Sequence, residues 1–240
     1  MGKPIQLYRL RTRDPYFPPG KDFQTYAKIY GSGVLFAVFR DCAGQILVGN
    51  GSENYPLEEV IERCQWAKLK LMLYVSEHQK QEDQLECARV AIQLATHYKM
   101  FQIAILSPET EFLVLVRQME SEPVKVLTGR LAGHLVKTQN LTNEQLEEEI
   151  KKEAAKGTSI IAFYDYEHGT RAIMSMIRTA RRYKIKIFFN IRSEKKPSQD
   201  VLKHAVMIAR MAAKNGGGVF CNHPLDLLEL LRKTKSRPGK

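Results

Sequence analysis

The sequence predicts an α/β protein with a doubly wound, mostly parallel sheet of alternating strands and helices. Short apolar runs recur from residue 34 onwards, and such runs suit strands that are buried on both faces of a parallel sheet. Segments with helical periodicity separate them, which implies right-handed crossovers. We count seven strands where a TIM barrel needs eight. The prediction is therefore an open sheet, either continuous or divided near 131–140 into two α/β lobes.

The apolar runs give the strands in chain order. They are Val34–Arg40, Leu71–Ser76, Gln102–Leu106, Val124–Thr128, Ser159–Tyr164, Lys184–Asn190 and Gly218–Cys221. The helical periodicity covers the segments between them. These are Leu57–Lys70, Gln81–Tyr98, Glu109–Met119, Asn143–Lys156, Thr170–Arg182, Gln199–Lys214 and Leu225–Lys233. Thr142 and Gln145 have the spacing of a capping box, and Gly157 stands where a helix ends in a left-handed residue.

The predicted organisation has four parts. They are an amino-terminal arm (1–30), a first α/β lobe (31–135), a second Rossmann-like lobe (136–233) and a basic tail (234–240). In the arm, Arg9, Arg11 and Arg13 alternate with other residues. This pattern fits either an edge strand with solvated arginines or a basic arm that contacts a phosphate backbone.

Composition narrows the class of protein. The 240 residues are 44% hydrophobic and carry a net charge of +11, which favours polyanionic partners. No apolar run is long enough to span a membrane, and the first residues lack a signal-peptide core. The four cysteines have no paired spacing, which is typical of free thiols in a reducing compartment. We expect a cytoplasmic or nucleus-accessible protein that is not secreted and has no membrane partner.

Acidic residues follow several predicted strands. Asp41 ends the first strand, Asp83 and Glu86 begin the helix after the second, and Glu109 and Glu111 follow the third. Because ligands of open parallel sheets bind beyond the carboxyl ends of the strands, these acids could converge on a divalent cation. The alternative is that they complement the positive ends of helix dipoles.

The same acids carry a family resemblance. Asp41 follows an apolar strand, Asp83 or Glu86 lies in a helix, and Ser107-Pro108-Glu109-Thr110-Glu111-Phe112 follows a later strand. This layout, over about residues 33–130, resembles the PIN/NYN nucleases, which have a Ser-x-Asp-x-Asp-Phe segment there. The resemblance implies catalytic acids at these five positions, with Mg²⁺ or Mn²⁺ bound by Asp41, Glu109 and Glu111. Both aspartates of that segment are glutamates here, so an active nuclease and a catalytically degenerate relative are both open.

A second resemblance covers about residues 158–190. An apolar strand leads to Asp165, and Gly169-Thr170-Arg171 opens the next helix. This segment is similar to the Gly-Thr-Arg turn of SLOG-type Rossmann proteins, including the DprA group. It implies a nucleotide site formed by Asp165, Gly169, Thr170 and Arg171, since a helix N-terminus attracts anions. The alternative is a plain helix cap.

Basic residues cluster after this turn. Arg171, Arg178, Arg181, Arg182 and Lys184 run along one helix and into the next strand. They fit either a solvated helix face or a surface that follows nucleic-acid phosphates.

Together these patterns predict a nucleic-acid-binding protein, with RNA favoured over DNA, that is a metal-dependent ribonuclease or its degenerate relative. The alternatives are a non-catalytic nucleotide-binding sensor and a structural interaction protein. The oligomeric state is left open.

Overall fold

Strands and helices alternate in a computed structural model, which describes residues 6–10, 33–49, 54–119, 123–131, 142–163, 170–191, 199–221, 227 and 229–230. The strands are β1 Gln6–Leu10, β2 Gly33–Arg40, β3 Ile46–Gly49, β4 Asn54–Pro56, β5 Lys70–Val75, β6 Gln102–Ser107, β7 Lys125–Leu131, β8 Ile160–Phe163, β9 Lys186–Ile191 and β10 Gly218–Cys221. The helices are α1 Leu57–Trp66, α2 Gln81–His97, α3 Thr110–Gln118, α4 Asn143–Ala155, α5 Thr170–Arg182 and α6 Gln199–Ala213.

Strand β1 closes the sheet on itself. It pairs in parallel with β2, where Leu10 lies opposite Leu35, and also with β10, where Leu7 lies opposite Val219. The ring of parallel strands runs β1, β2, β5, β6, β7, β8, β9, β10. Eight parallel strands with helices between them form a TIM-type barrel. The predicted open, doubly wound sheet is wrong, because the amino-terminal arm supplies an eighth strand.

A short antiparallel extension is attached to β2. The first residues of β2 pair with β1, whereas its last residues pair with β3, so that Val38 lies opposite Val48. Strand β4 then pairs with β3, with Tyr55 opposite Val48. The hairpin therefore projects from the carboxyl-terminal end of β2 and leads into α1.

Alternate strand residues fill the barrel interior. Ten buried apolar side chains from seven strands form one cluster there: Leu35, Met72, Ala104, Leu106, Leu127, Leu131, Ile160, Ala162, Phe188 and Phe220. The rings of Phe188 and Phe220 are stacked with their centroids 5.2 Å apart. Gly129 makes room in this layer, since a Cβ there would lie 2.2 Å from Cδ2 of Leu106.

The outward strand residues pack against the helices in two further clusters. One joins β2, β5 and β6 to α1, α2 and α3 through residues such as Phe36, Leu73 and Phe112. The other joins β8, β9 and β10 to α4, α5 and α6 through residues such as Phe163 and Ile208. Strands that are apolar on both faces are thereby explained by a core on each side of the barrel wall.

The helices return to the strands through left-handed residues. Lys68, Lys99, Gly157, Lys184 and Gly216 all have φ between 54° and 80° and stand two or three residues before a strand. The predicted left-handed stop at Gly157 is confirmed, with φ 78°. The predicted capping box is also confirmed, since the N–H of Gln145 donates to Oγ1 of Thr142 at 3.3 Å and Oε1 of Gln145 accepts from the N–H of Thr142 at 2.8 Å.

Among the helices of the described ranges, none combines the length and the hydropathy needed to cross a lipid bilayer.

Candidate active site at the carboxyl-terminal end of the barrel

TIM barrels place their active sites at the carboxyl-terminal ends of the strands. At that end β2, β5, β6 and β9 end in, or are followed by, described polar side chains. We call this surface the barrel mouth, and it comprises Arg40, Asp41, Tyr74, Ser76, Glu77, Ser107, Glu109 and Asn190.

Asp41 forms the turn between β2 and β3. Its Oδ1 accepts hydrogen bonds from the N–H of Ala43 at 2.9 Å and of Gln45 at 2.8 Å. A backbone hydrogen bond also closes this turn, since the N–H of Gly44 donates to the carbonyl of Asp41 at 3.0 Å. Oδ1 of this half-exposed aspartate, which the sequence suggested as a metal ligand, thus has two backbone donors.

Arg40 and Gln79 tie the ends of β2 and β5 together. The N–H of Arg40 donates to Oε1 of Gln79 at 3.2 Å, and Nε2 of Gln79 donates to the carbonyl of Val38 at 3.0 Å. The Arg40 guanidinium contacts Oδ1 of Asp83 at 3.1 Å and the carbonyl of Gly44 at 3.4 Å. Asp83 therefore serves as the anionic partner of Arg40 in the first turn of α2.

Of the remaining predicted acids, Glu86 lies in the second turn of α2, and Glu109 and Glu111 lie at the start of α3. Glu86 forms an ion pair with Arg89 one turn further along α2. Glu109 is the residue before α3, where its N–H donates to Oγ of Ser107 at 3.2 Å, and Glu111 is exposed in the first turn. The helix dipole favours acids at the start of α3 without any ligand.

The five acids do not assemble into a metal centre. Across the described residues, no group of three or more His, Cys, Asp or Glu side chains could hold a metal ion. The set Asp41, Glu109 and Glu111 expected for Mg²⁺ or Mn²⁺ is not such a group and so does not fit that cation, and Oδ1 of Asp41 binds two backbone N–H groups instead. The catalytic role expected for these acids stays a prediction.

A different carboxylate is held at the mouth. Tyr74 packs against the interior cluster, and its hydroxyl donates to Oε2 of Glu77 at 2.9 Å. Glu77 is exposed just beyond the end of β5. The tyrosine thus links the interior of the barrel to a solvent-facing acid.

Asn190 is a polar residue in the wall of the mouth. It lies opposite Phe220 in the register of β9 and β10 and two residues beyond Phe188, so strand alternation directs it into the barrel. Its side chain is part of a residue only 4% exposed, and Oδ1 accepts no hydrogen bond from any described residue. A buried carbonyl oxygen without a hydrogen-bond donor lowers the free energy of unfolding by roughly 1–3 kcal/mol.

Sequence reasoning missed Asn190, although one signal was available. It is the single amide within the otherwise apolar run from Ile185 to Ile191, apart from Lys186 at the strand start. Gln84, beside the mouth, resembles it: Nε2 donates to the carbonyl of Ser76 at 3.0 Å, but the buried Oε1 has no partner in the described part of the chain.

The predicted basic surface lies elsewhere. Helix α5 follows β8 and runs back towards the start of β9, so Arg178, Arg181, Arg182 and Lys184 lie towards the amino-terminal end of the barrel. All four are exposed, and Arg182 pairs with Glu147 at 2.9 Å. They are therefore remote from the barrel mouth.

The predicted nucleotide turn is only partly in view. Asp165 and Gly169 lie outside the described residues, and α5 begins at Thr170, followed by Arg171. The helix start is thus where the sequence predicts it.

Comparisons with known proteins identify the fold. No protein-family model matches the chain, and no curated protein matches it. A glycerophosphodiester phosphodiesterase from Parabacteroides distasonis superimposes with a TM-score of 0.61 at 12% identity, covering 98% of this chain and 100% of that one. One from Thermotoga maritima gives 0.57 at 13% identity, covering 87% and 89%. An aldolase named QR15 gives 0.56 at 12% identity, covering 96% and 95%.

These similarities correct the family predictions. The resemblances to PIN/NYN nucleases and to SLOG-type Rossmann proteins are wrong, since the matched structures are phosphodiesterases and an aldolase. The predicted nucleic-acid-binding and nucleotide-sensing functions, and the RNA partner, are wrong for the same reason. At such low identity the matches establish the fold alone: a TIM-type barrel whose mouth contains Asn190, Tyr74 and Glu77.

Proposed function

We propose that this chain hydrolyses a small phosphodiester of the glycerophosphodiester class at the barrel mouth. Water would attack phosphorus, the bond to one ester oxygen would break, and that oxygen would leave as an alcohol after taking up a proton. The products are a phosphomonoester and an alcohol.

The principal support is the similarity to two phosphodiesterases of this class, one of which covers 98% of this chain. The location follows from the barrel, whose carboxyl-terminal end is the place for catalysis. The net charge of +11 suits an anionic substrate.

Asn190 supports a polyol substrate. Its buried Oδ1 is an acceptor without a donor among the described residues, and a substrate hydroxyl could supply that donor. Phe220 lies opposite Asn190 and Phe188 lies two residues before it on the same strand, so its interior neighbours on these two strands are aromatic rings that do not supply that donor.

Glu77 is the carboxylate best placed to accept the proton of the attacking water. It follows β5 at the mouth, and the Tyr74 hydroxyl fixes one of its oxygens at 2.9 Å. A general base of this kind contributes typically 10²–10⁴-fold to a rate.

The similarity to an aldolase is a weaker basis for a function. A Schiff-base mechanism needs a lysine at the reacting centre. Within the described strands, the lysines are Lys70, Lys125 and Lys186, and each is the first residue of its strand. They lie at the end opposite the barrel mouth.

The test is hydrolysis of glycerophosphocholine by the full chain, followed by ³¹P NMR with Mg²⁺, with Mn²⁺ and with EDTA. We expect a phosphomonoester signal that grows with time. Asn190→Ala should lower kcat/KM by roughly tenfold, since one hydrogen bond of about 1.4 kcal/mol is lost. Glu77→Gln should lower kcat by about 10²-fold or more.

Arg181→Ala is the matched control, because Arg181 is exposed towards the opposite end of the barrel and should leave the rate unchanged. No phosphomonoester in any of the three arms would refute the proposed function. Full activity in both mouth variants would refute the roles given to Asn190 and Glu77.

A further inference from the structure

A groove of about 450 Å³ runs along α6, and none of the residues that line it belongs to the barrel mouth. We call it the α6 groove. It is lined by Lys203, Val206, Met207, Arg210, Met211, Lys214 and Leu230. A volume of this size falls within the range of ligand-binding clefts.

The floor of the α6 groove is apolar. Val206 and Met211 are buried and belong to the core behind α6, and Met207 and Leu230 are partly buried against the same core. Flexible methionine side chains can adapt to varied apolar partners.

The rim of the groove is cationic. Lys203, Arg210 and Lys214 stand at positions i, i+7 and i+11, so they lie along one face, with Met207 between them. The Lys203 ammonium contacts Oδ1 of Asp200 at 3.0 Å, but both side chains are largely exposed. From Lys203 to Lys214 the rim extends roughly 16 Å at the helical rise.

We propose that the α6 groove binds an acidic amphipathic helix of a partner protein. Apolar side chains on one face of that helix would contact Met207 and Leu230, and flanking carboxylates would contact the three cations. This inference is independent of the proposed hydrolysis, which takes place at the barrel mouth.

The distribution of charge selects this occupant. A single-headed anionic amphiphile brings its charge to one place, whereas the cations stand at both ends of the groove. A helix of three to four turns spans the same length and can carry several acids. The chain's own residues 231–240 do not complement the groove, because they contain five Lys or Arg and no Asp or Glu.

The test uses the full chain and a fluorescein-labelled synthetic peptide of about 14 residues, long enough for four helical turns. Leucines recur every three or four positions on one face of the peptide, and glutamates flank them. Fluorescence anisotropy measures its binding. A matched peptide has lysines in place of the glutamates, and dodecyl phosphate is tested as a competitor.

We expect saturable binding of the acidic peptide and at least tenfold weaker binding of the basic one. The exposed double substitution Lys203→Glu/Lys214→Glu should raise Kd at least tenfold, and Met207→Asp should do the same. Lys151→Glu, an exposed change on α4, should leave Kd unchanged.

Absence of saturable binding, or equal binding by the double variant, would overturn the proposal. So would equal binding of the two peptides. Complete displacement by dodecyl phosphate at concentrations below those of the peptide would also overturn it, because the groove would then be a site for single-headed amphiphiles. Thermal unfolding of each variant separates lost binding from lost folding.

Discussion

Nη1 of Arg40 lies 3.1 Å from Oδ1 of Asp83, and this contact joins the end of β2 to the first turn of α2. The same guanidinium contacts the carbonyl of Gly44 in the β2–β3 turn. One side chain therefore connects the hairpin, the barrel wall and the helix layer at the mouth.

We predict that Asp83→Asn lowers the free energy of unfolding by no more than about 1 kcal/mol, since both partners are partly exposed and solvent screens such pairs. Urea unfolding measures the loss, which should shrink as salt is raised. Glu82→Gln, an exposed neighbour in the same helical turn, is the control and should change stability less. A loss of several kcal/mol would contradict this account of Asp83.

Asp41 gives a second prediction, because its Oδ1 binds two backbone N–H groups. Asp41→Ala removes both acceptor contacts and should cost roughly 1–2 kcal/mol of unfolding free energy. Asp41→Asn keeps an acceptor oxygen and should cost less. Cys42→Ser, at the exposed next residue, should be nearly neutral. Equal losses for the alanine and asparagine variants in urea unfolding would show that the turn does not depend on this oxygen.

The local structure was largely predictable from sequence. The helix predicted at Thr170–Arg182 and the strand predicted at Gly218–Cys221 have the bounds that the structure gives them. The apolar runs identified strands because each is buried on both faces, whether a parallel sheet is open or closed. Because burial on both faces is the same in an open and in a closed sheet, the apolar runs did not predict closure of the barrel.

Closure depends on Gln6–Leu10, whose sequence Gln-Leu-Tyr-Arg-Leu has an arginine and a glutamine among its five residues. Such a mixed pattern indicates a half-exposed edge strand rather than a barrel strand. The site was harder still to predict. A strand-end aspartate such as Asp41 indicates a ligand or a turn equally well, and the outcome depends on backbone donors that periodicity does not locate.

Gly129 and Leu106 provide a third prediction, on interior packing. A Cβ at residue 129 would lie 2.2 Å from Cδ2 of Leu106 and 3.0 Å from Cβ of Ile160. Gly129→Ala should therefore cost about 1–3 kcal/mol through overpacking. In the double variant Gly129→Ala/Leu106→Ala the added methyl group occupies the space that Leu106 leaves. The loss of unfolding free energy in the double variant should therefore be smaller than the sum of the losses in the two single variants. Strict additivity in urea unfolding would contradict direct contact between these positions.

The last prediction concerns the buried thiol of Cys87. Its pKa is raised from 9.0 to about 12, chiefly by burial and also by the charges of Asp83 and Glu86, while Arg40 opposes them. Burial also raises the pKa of Cys64. The unfolded chain releases these protons near pH 9, whereas the native chain retains them. Their contribution to stability is thus complete below pH 9 and is lost as pH rises towards 12.

Urea unfolding from pH 8 to pH 11 tests this dependence. The free energy of unfolding of Cys87→Ala should fall less steeply with pH than that of the parent chain. Native alkylation tests the same geometry, since the thiolate is the reactive form. Iodoacetamide at pH 8 should modify the exposed Cys42 and spare Cys64 and Cys87 until urea is added, as read by peptide mass mapping. Rapid native labelling of Cys87 would contradict its burial behind the Arg40–Asp83 pair. Parallel pH profiles for the parent and Cys87→Ala would contradict its raised pKa.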